Sequence, residues 1–184
     1  MPTKAEKTSL YIIECVAPLF NRHGYAATSL SDITKATGLT KGALYGNFKN
    51  KETLALKAYQ YNSDKLVRIL NYKISAKTHP LEKLATFTAF YKTYHQFTTP
   101  IGGCPILNVG VDATENNQEL SYAVKNTIKV LEKMVTQILK DGIEKNIIHV
   151  RVLPAQFSKQ LMTMLLGAVS MSSITGDQKY LMNT

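Results

Sequence analysis

The chain has 184 residues, 45% of them apolar, and a formal net charge of +9 from 22 Lys and Arg against 13 Asp and Glu. This length and composition favour one or two globular domains and exclude collagen-like and low-complexity chains. The longest nearly apolar run, residues 161–171, is too short to span a bilayer, and no apolar segment follows the N-terminal lysines. We therefore expect a cytoplasmic protein with no membrane partner.

No pattern typical of a metal site, a disulfide framework or a common enzyme class occurs in the sequence. The two cysteines, Cys15 and Cys104, lie far apart, and the four histidines show no paired ligand spacing. The Gly-x-Ser-x-Gly, phosphate-loop and His-Glu-x-x-His motifs are also missing from the sequence. We predict no metal, no other cofactor and no enzymatic activity.

Positive charge is denser toward the N-terminus, where residues 1–75 hold eleven basic and five acidic side chains. A polyanion such as DNA would meet this end of the chain first. A basic surface that only aids solubility is the alternative interpretation.

The apolar residues of the first segment recur every three to four positions, as on one face of a helix. They are Leu10, Ile13, Ala17 and Phe20. This spacing predicts a helix from about Lys4 to His23, which Gly24 ends. Pro18 lies inside that helix and cannot donate a backbone hydrogen bond, so we expect a bend there.

Two short helices separated by a glycine turn follow the first helix. Ser29, with Asp32 three residues later, predicts the start of the first short helix, and Gly38 predicts its end. Thr40 predicts the cap of a second short helix that continues through Tyr45. The pattern is a helix-turn-helix, in which one of two mutually supported helices is presented outward to a DNA groove.

Gly42 lies in the second short helix, where glycine costs about 1 kcal/mol relative to alanine. Leu44 and Phe48 are the predicted inward anchors of this helix, which places Gly42 on its outer face. We interpret the glycine as a position where a partner approaches the backbone closely.

The remaining sequence predicts further helices with two irregular segments, residues 100–110 and 148–154. The predicted helices run from Lys51 to a break at residues 78–80, from Leu81 to about Thr98, over a short stretch beginning at Pro105, from Gln118 to Asn146, and from Pro154 to about Ser172. Eight residues follow Gly176, enough for an abbreviated or truncated final helix that ends at Thr184.

Residues 20–54 carry four motifs in order: Phe-x-x-x-Gly-Tyr, Thr-Ser-x-x-Asp-Ile, Gly-x-Thr-Lys-Gly-x-Leu-Tyr and Phe-x-x-Lys-Glu. In this order and spacing the segment resembles the DNA-binding domain of the tetracycline-repressor (TetR) family of transcriptional regulators. The later helices resemble that family's ligand-binding and dimerisation domain in length and order, and residues 102–110 resemble a branch with a Gly-Cys segment after the fifth helix. Pro18 and the Gly46-Asn47 pair depart from the family's pattern.

The resemblance implies an all-α fold with a three-helix, helix-turn-helix DNA-binding domain over residues 1–50. A helical effector-binding and dimerisation domain would occupy residues 51–184. The implied function is a ligand-responsive transcriptional regulator, in most cases a repressor, that binds a palindromic double-stranded DNA operator as a homodimer and is released by a small hydrophobic effector. An effector-free DNA-binding adaptor with a filled core is the alternative.

For DNA binding we expect hydroxyls and backbone amides to hold phosphates, lysines to supply charge, and small residues to allow close approach to base edges. Lys41 is the expected contact to a base or to a phosphate at the groove edge. Helix capping and solvation are the alternative roles of these side chains. The predicted DNA-binding residues are Thr28, Ser29, Thr40, Lys41, Gly42, Ala43, Tyr45, Asn47 and Lys51.

For the effector, the candidates are mainly aromatic and Met side chains, which suit an adaptable apolar pocket, and plain core packing is the alternative. The predicted effector-binding residues are Phe87, Phe90, Tyr91, Tyr94, His95, Cys104, Met134 and Met162. For self-association we predict an apolar stripe of the last long helix, with the same stripe facing inward as the alternative. That stripe contains Phe157, Leu161, Leu165 and Ala168.

Overall fold

The computed structural model describes residues 3–149, 151 and 153–183, and over these residues it contains ten α-helices, one 3-10 turn and no strand. The helices are α1 (Lys4–Ala27), α2 (Leu30–Thr37), α3 (Lys41–Asn47), α4 (Lys51–Ser75), α5 (Pro80–Lys92), α6 (Tyr94–Thr98), α7 (Pro105–Asn116), α8 (Gln118–Glu144), α9 (Pro154–Thr175) and α10 (Lys179–Met182). The all-α prediction is confirmed. The described residues do not include Val150 and Val152 of the predicted connection or Thr184 at the C-terminus.

The start of α1 is fixed by a capping box at Thr3. The Thr3 hydroxyl accepts a hydrogen bond from the Glu6 N–H at 3.2 Å, and the Glu6 carboxylate accepts one from the Thr3 N–H at 2.6 Å. Gly24 is the residue inside α1 that leaves helical φ/ψ, with φ of 81° and ψ of 172°, and one further turn follows it. The sequence places the helix stop at Gly24 correctly but does not predict the extra turn, and Pro18 lies inside the helix as predicted.

The stretch predicted as one helix from Leu81 to Thr98 is divided into α5 and α6. Thr93 separates them with φ of −111° and ψ of 18°, and its N–H donates to the Phe90 carbonyl at 3.3 Å. The apolar residues on both sides of Thr93 keep helical spacing, so the periodicity of the sequence does not reveal the break.

Two compact units are present, and the first comprises Met1–Lys65 together with Thr98–Lys125. Its core brings α1, α2, α3 and the start of α4 together through side chains that include Ile12, Val16, Phe20, Ile33, Leu44, Phe48 and Leu54. Leu44 and Phe48, the predicted anchors of α3, are buried. Because burying one such side chain stabilises by about 1.5–3 kcal/mol, these contacts hold a seven-residue helix that would not form alone.

The second unit comprises Leu66–Phe97 and Asn126–Thr184. Aromatic rings of α5 and α6 pack on one another inside it, with Tyr91 and Tyr94 stacked at 5.0 Å between centroids and Phe90 edge-on to both. Phe87, Phe90, Tyr91 and Tyr94 are all buried. Core packing, the alternative weighed for this stripe, accounts for their burial.

Helix α9 has two apolar faces in the second unit. Leu161, Leu165 and Ala168 of the predicted dimer stripe are buried, so this part of the prediction is wrong and the inward-facing alternative holds. The exposed face is formed by Phe157, Met164, Met171 and Ile174. None of the described helices combines the length and apolar character required of a membrane span.

Candidate nucleic-acid interface

The N-terminus of α2 is fixed by a capping box at Ser29. The Ser29 hydroxyl accepts a hydrogen bond from the Asp32 N–H at 3.1 Å, and the Asp32 carboxylate accepts from the Ser29 hydroxyl and N–H at 2.6 and 2.9 Å. These hydrogen bonds, the side-chain one first, hold the pKa of Asp32 below its ordinary value. Gly38 ends α2 in the left-handed region at φ of 68°, where glycine has no steric penalty. The predicted start and end of this helix are confirmed.

Helix α3 begins at the predicted cap. The Thr40 hydroxyl oxygen accepts a hydrogen bond from the Ala43 N–H at 3.2 Å. Leu44 faces the core, whereas Lys41, Gly42 and Tyr45 are exposed, and Tyr45 retains 51% of its accessible surface. Helix α3 therefore presents a polar face with one large aromatic side chain outward.

No neighbour among the described residues requires a glycine at position 42. A Cβ built there would meet the Thr40 hydroxyl oxygen at 3.9 Å and no closer neighbour, and one at Gly46 would meet nothing within 4 Å. Gly42 and Gly46 lie four residues apart, so they share one face of α3. Packing among the described residues therefore does not explain two glycines in so short a helix.

Two predicted DNA contacts are engaged within the chain. Thr28 is buried, and its hydroxyl donates to the Gly24 carbonyl at 2.7 Å. The Asn47 amide donates to the Ala43 carbonyl at 2.9 Å, while its oxygen accepts from the Ser9 hydroxyl at 3.0 Å. Thr28 is left out of the proposed interface because its side chain is buried, whereas the DNA contact of Asn47, like those of the capping residues Ser29 and Thr40, stays a prediction.

Lys51, at the start of α4, is half-buried against Tyr25. Its ammonium lies 4.6 Å from the Tyr25 ring centroid, a cation–π contact. Partial burial lowers the pKa of Lys51, and the nearby Asp112 carboxylate acts in the opposite direction. The Tyr25 hydroxyl donates to Glu52 at 3.5 Å. The charge of Lys51 is thus held at a fixed place beside the last turn of α1.

Asp112 of α7 is a part of this unit that the sequence analysis missed. Its carboxylate accepts hydrogen bonds from the backbone N–H groups of Tyr25 and Ala26, the latter at 3.2 Å. No local signal could reveal the contact because Asp112 follows Tyr25 by 87 positions. Among the described residues no group of three or more His, Cys, Asp or Glu side chains is arranged to hold a metal ion.

A glycine turn followed by a capped helix with an outward-facing side is typical of the helix-turn-helix class of regulatory proteins. Within that class, residues 12–58 match the family model for bacterial regulatory proteins of the tetR family, and residues 80–184 match the model for the tetracyclin repressor-like C-terminal domain. The chain belongs to the TetR family, as the sequence resemblance predicts.

Known proteins similar to this chain include both curated relatives and solved structures. A TetR-family transcriptional regulator from Cytophaga hutchinsonii is 31% identical with a TM-score of 0.90, over 98% of this chain and 90% of that chain. The uncharacterized HTH-type transcriptional regulator YxaF of Bacillus subtilis is 35% identical over 98 residues, which are 52% of this chain and half the length of that relative. FadR of Bacillus subtilis, solved in complex with stearoyl-CoA, shares the fold at 18% identity and a TM-score of 0.75, over 91% of this chain and 88% of that chain.

Proposed function

We propose that this protein is a transcriptional repressor that binds a palindromic double-stranded DNA operator as a homodimer and is released by a small hydrophobic effector. The outward face of α3 carries the proposal, because Lys41, Gly42 and Tyr45 are exposed on a helix whose opposite side is anchored in the core. The N-terminal residues of such a helix are the ones that meet base edges in the major groove. Thr40 and Ser29 are exposed beside it and supply hydroxyls for phosphates. Acting on an operator places the protein in the cytoplasm.

Selection of bound duplexes from a random DNA library by the purified protein tests the proposed DNA binding. We expect enrichment of a near-palindrome whose half-sites are centred about 34–36 Å apart, one helical turn or a multiple of it. Failure to enrich any sequence, with the protein folded, would reject the proposed function.

The exposed face of α9 supports the proposed homodimer. Phe157, Met164, Met171 and Ile174, with Gln160 and Gly167 between them, follow the alternating three- and four-residue spacing of a helix–helix seam. A Cβ at Gly167 would meet nothing within 4 Å, so a second helix has room to approach there. An apolar stripe of this length on a helix surface favours association with a partner helix over exposure to water.

A groove in the second unit supports effector binding. It has a volume of about 550 Å³, and its lining combines polar and charged side chains with four apolar ones of α4 and α8, Ile74, Val130, Met134 and Ile138. Small-molecule sites occupy about 300–1,000 Å³. Of the predicted effector residues, Met134 lines this groove. The others do not, and Cys104 lies in the first unit; all remain predictions.

The groove also carries positive charge, from Lys83 of α5 and Lys133 of α8. The Asp141 carboxylate at its edge accepts a hydrogen bond from the Gln137 amide at 2.8 Å. FadR of Bacillus subtilis was solved with stearoyl-CoA, a ligand that pairs an apolar chain with negative charge. We propose an effector of the same kind here.

Dodecanoate and dodecanol distinguish this proposal from an effector-free adaptor. Dodecanoate is expected to raise the unfolding temperature and to release the operator, and the neutral alcohol to do so less, because the alcohol brings no negative charge to the two ammonium groups. The double variant Lys83→Met/Lys133→Met should remove the difference between the two ligands. An adaptor would show neither shift nor release with either compound.

A further inference from the structure

A carboxylate of α7 caps the last turn of α1. Gly24 leaves helical φ/ψ at φ of 81°, so Tyr25 and Ala26 begin a new turn, and the first N–H groups of a turn need acceptors from outside it. The Asp112 carboxylate accepts from both. Hydrogen bonds to an ionised acceptor are roughly twice as strong as neutral ones, so this cap fixes the position of the turn.

The surroundings of Asp112 hold its carboxylate in place. The Asn116 amide donates to the second carboxylate oxygen at 2.9 Å. A Cβ at Gly24 would lie 2.9 Å from the first oxygen, so a larger residue there would displace the carboxylate. One turn earlier in α7, the Asn108 amide donates to the Asn21 carbonyl at 3.0 Å, a second hydrogen bond between α7 and α1.

The capped turn leads directly into the helix-turn-helix. Thr28 closes it by donating to the Gly24 carbonyl at 2.7 Å, and Ser29 then caps α2. We infer that Asp112 is a positioning residue for DNA recognition, which sets α2 and α3 by holding the backbone of residues 25–26. This inference rests on the proposed DNA binding.

The hydrogen bonds from Tyr25 and Ala26 to Asp112 join the regions matched by the two family models. Asp112 lies in the region matched by the C-terminal domain model, and Tyr25 lies in the region matched by the N-terminal one. Both residues belong to the same compact unit. A displacement of α7 would therefore move the backbone on which the DNA-contacting helices depend.

If Asp112 acts only through its charge, neutralising it should strengthen operator binding, whereas the loss of a positioning residue should weaken it. These opposite expectations make the inference testable. Removing a carboxylate strengthens binding to a polyanion if only electrostatics matter. Glu115→Gln is the matched control, since Glu115 is exposed on the same helix and its change alters the net charge equally. For a positioning residue, Asp112→Asn should instead weaken operator binding about five- to tenfold, at the lower end of typical coupling between sites.

The experiment measures operator affinity and hydrogen exchange of the full chain at a temperature where every variant is folded. In Asp112→Asn the new NH₂ group faces the Asn116 donor, so we add the swapped variant Asp112→Asn/Asn116→Asp, which restores the side-chain hydrogen bond between positions 112 and 116 and the net charge but leaves a neutral oxygen to accept from Tyr25 and Ala26. We expect the affinity of this variant to lie between those of Asp112→Asn and the wild type. In the single variant Asp112→Asn, the amides of Tyr25 and Ala26 should exchange faster while those of α9 exchange at an unchanged rate. Local loosening of the capped turn predicts this difference, whereas global destabilisation would speed exchange in α9 as well.

Asp112→Asn binding as tightly as Glu115→Gln, or tighter, would overturn the inference. A wild type that binds no selected duplex would reject the proposed function instead. If Asp112→Asn does not fold, Asn116→Ala carries the test, with an expected loss of about twofold. An unchanged affinity in that variant would overturn the inference.

Discussion

The outward faces of α3 and α9 differ in kind, although each lies opposite a well-buried side of its helix. On α3 the exposed positions hold Lys41, Gly42, Tyr45 and Gly46, a combination of charge, hydroxyl and bare backbone. On α9 the exposed stripe is made of large apolar side chains. The first face suits a hydrated polyanion, where polar contacts and close backbone approach matter. The second suits a dry contact with another helix.

This difference assigns the two proposed contacts to separate surfaces. DNA recognition then depends on both, because one two-turn helix reads only a few base pairs and two copies are required. Changes on α9 should act on operator binding through the number of chains bound, and changes on α3 through the contacts each chain makes.

The largest effect is expected from Met164→Glu, which places a charge in the middle of the exposed stripe of α9. Separating the two chains removes the advantage of joined binding, about 100-fold or more in operator affinity. Sedimentation velocity should show a folded monomer. Ser173→Glu is the control, since Ser173 is exposed on the opposite side of α9 and receives the same charge. A Met164→Glu protein that stays dimeric would place the contact elsewhere.

On the α3 face, Lys41→Ala should cost about 1–3 kcal/mol of operator binding if the ammonium reaches a base edge. Tyr45→Phe should act in the same direction through its lost hydroxyl. Lys140→Ala, at an exposed position of α8, controls for the loss of one positive charge. Equal affinity of the Lys41 and Lys140 variants in a gel-shift titration would remove Lys41 from the interface.

Gly42→Ala should separate stability from recognition. The free protein has room for the methyl group, so the substitution should raise the free energy of unfolding by up to about 1 kcal/mol in urea titration. The same methyl group should weaken operator binding where DNA approaches the backbone. Gly46→Ala, one turn later, should stabilise similarly with a smaller loss of affinity. Unweakened binding by Gly42→Ala would leave the glycine without the role assigned to it.

The smallest effect is expected from Lys51→Ala. If this ammonium neutralises one phosphate, the slope of log K against log salt should become shallower by about 0.9 for each phosphate lost. Sequence preference should not change, since a phosphate contact carries no base information. An unchanged slope would mean that the contact with Tyr25 is the main role of Lys51.

Local chemistry predicted the helix-turn-helix well because its caps are short-range. Ser29, Gly38 and Thr40 each satisfy backbone groups within a few residues, so the sequence shows them directly. The Asp112 cap of Tyr25 joins residues distant in the chain and has no such signal. Periodicity also failed on α9, where two apolar stripes have the same spacing. Only packing decides that Leu161 and Leu165 face inward while Met164 does not.

The division into domains stays a prediction. The sequence predicts a domain boundary after residue 50, where the helix-turn-helix ends. The first compact unit instead combines Met1–Lys65 with Thr98–Lys125. The predicted boundary marks the end of the DNA-binding segment, whereas the compact units reflect packing within the chain. The Asp112 variants test whether α7 contributes to DNA binding.

The central claim is that two chains, paired through α9, place two copies of α3 on one DNA site. Sedimentation of the wild-type protein with the selected, fluorescently labelled duplex tests it most directly, at salt low enough to saturate binding. The account predicts a complex of two chains per duplex at saturation for the wild type, and only weak binding for Met164→Glu under the same conditions. A saturated wild-type complex with one chain per duplex, or a Met164→Glu variant that binds as a pair with unchanged affinity, would contradict it.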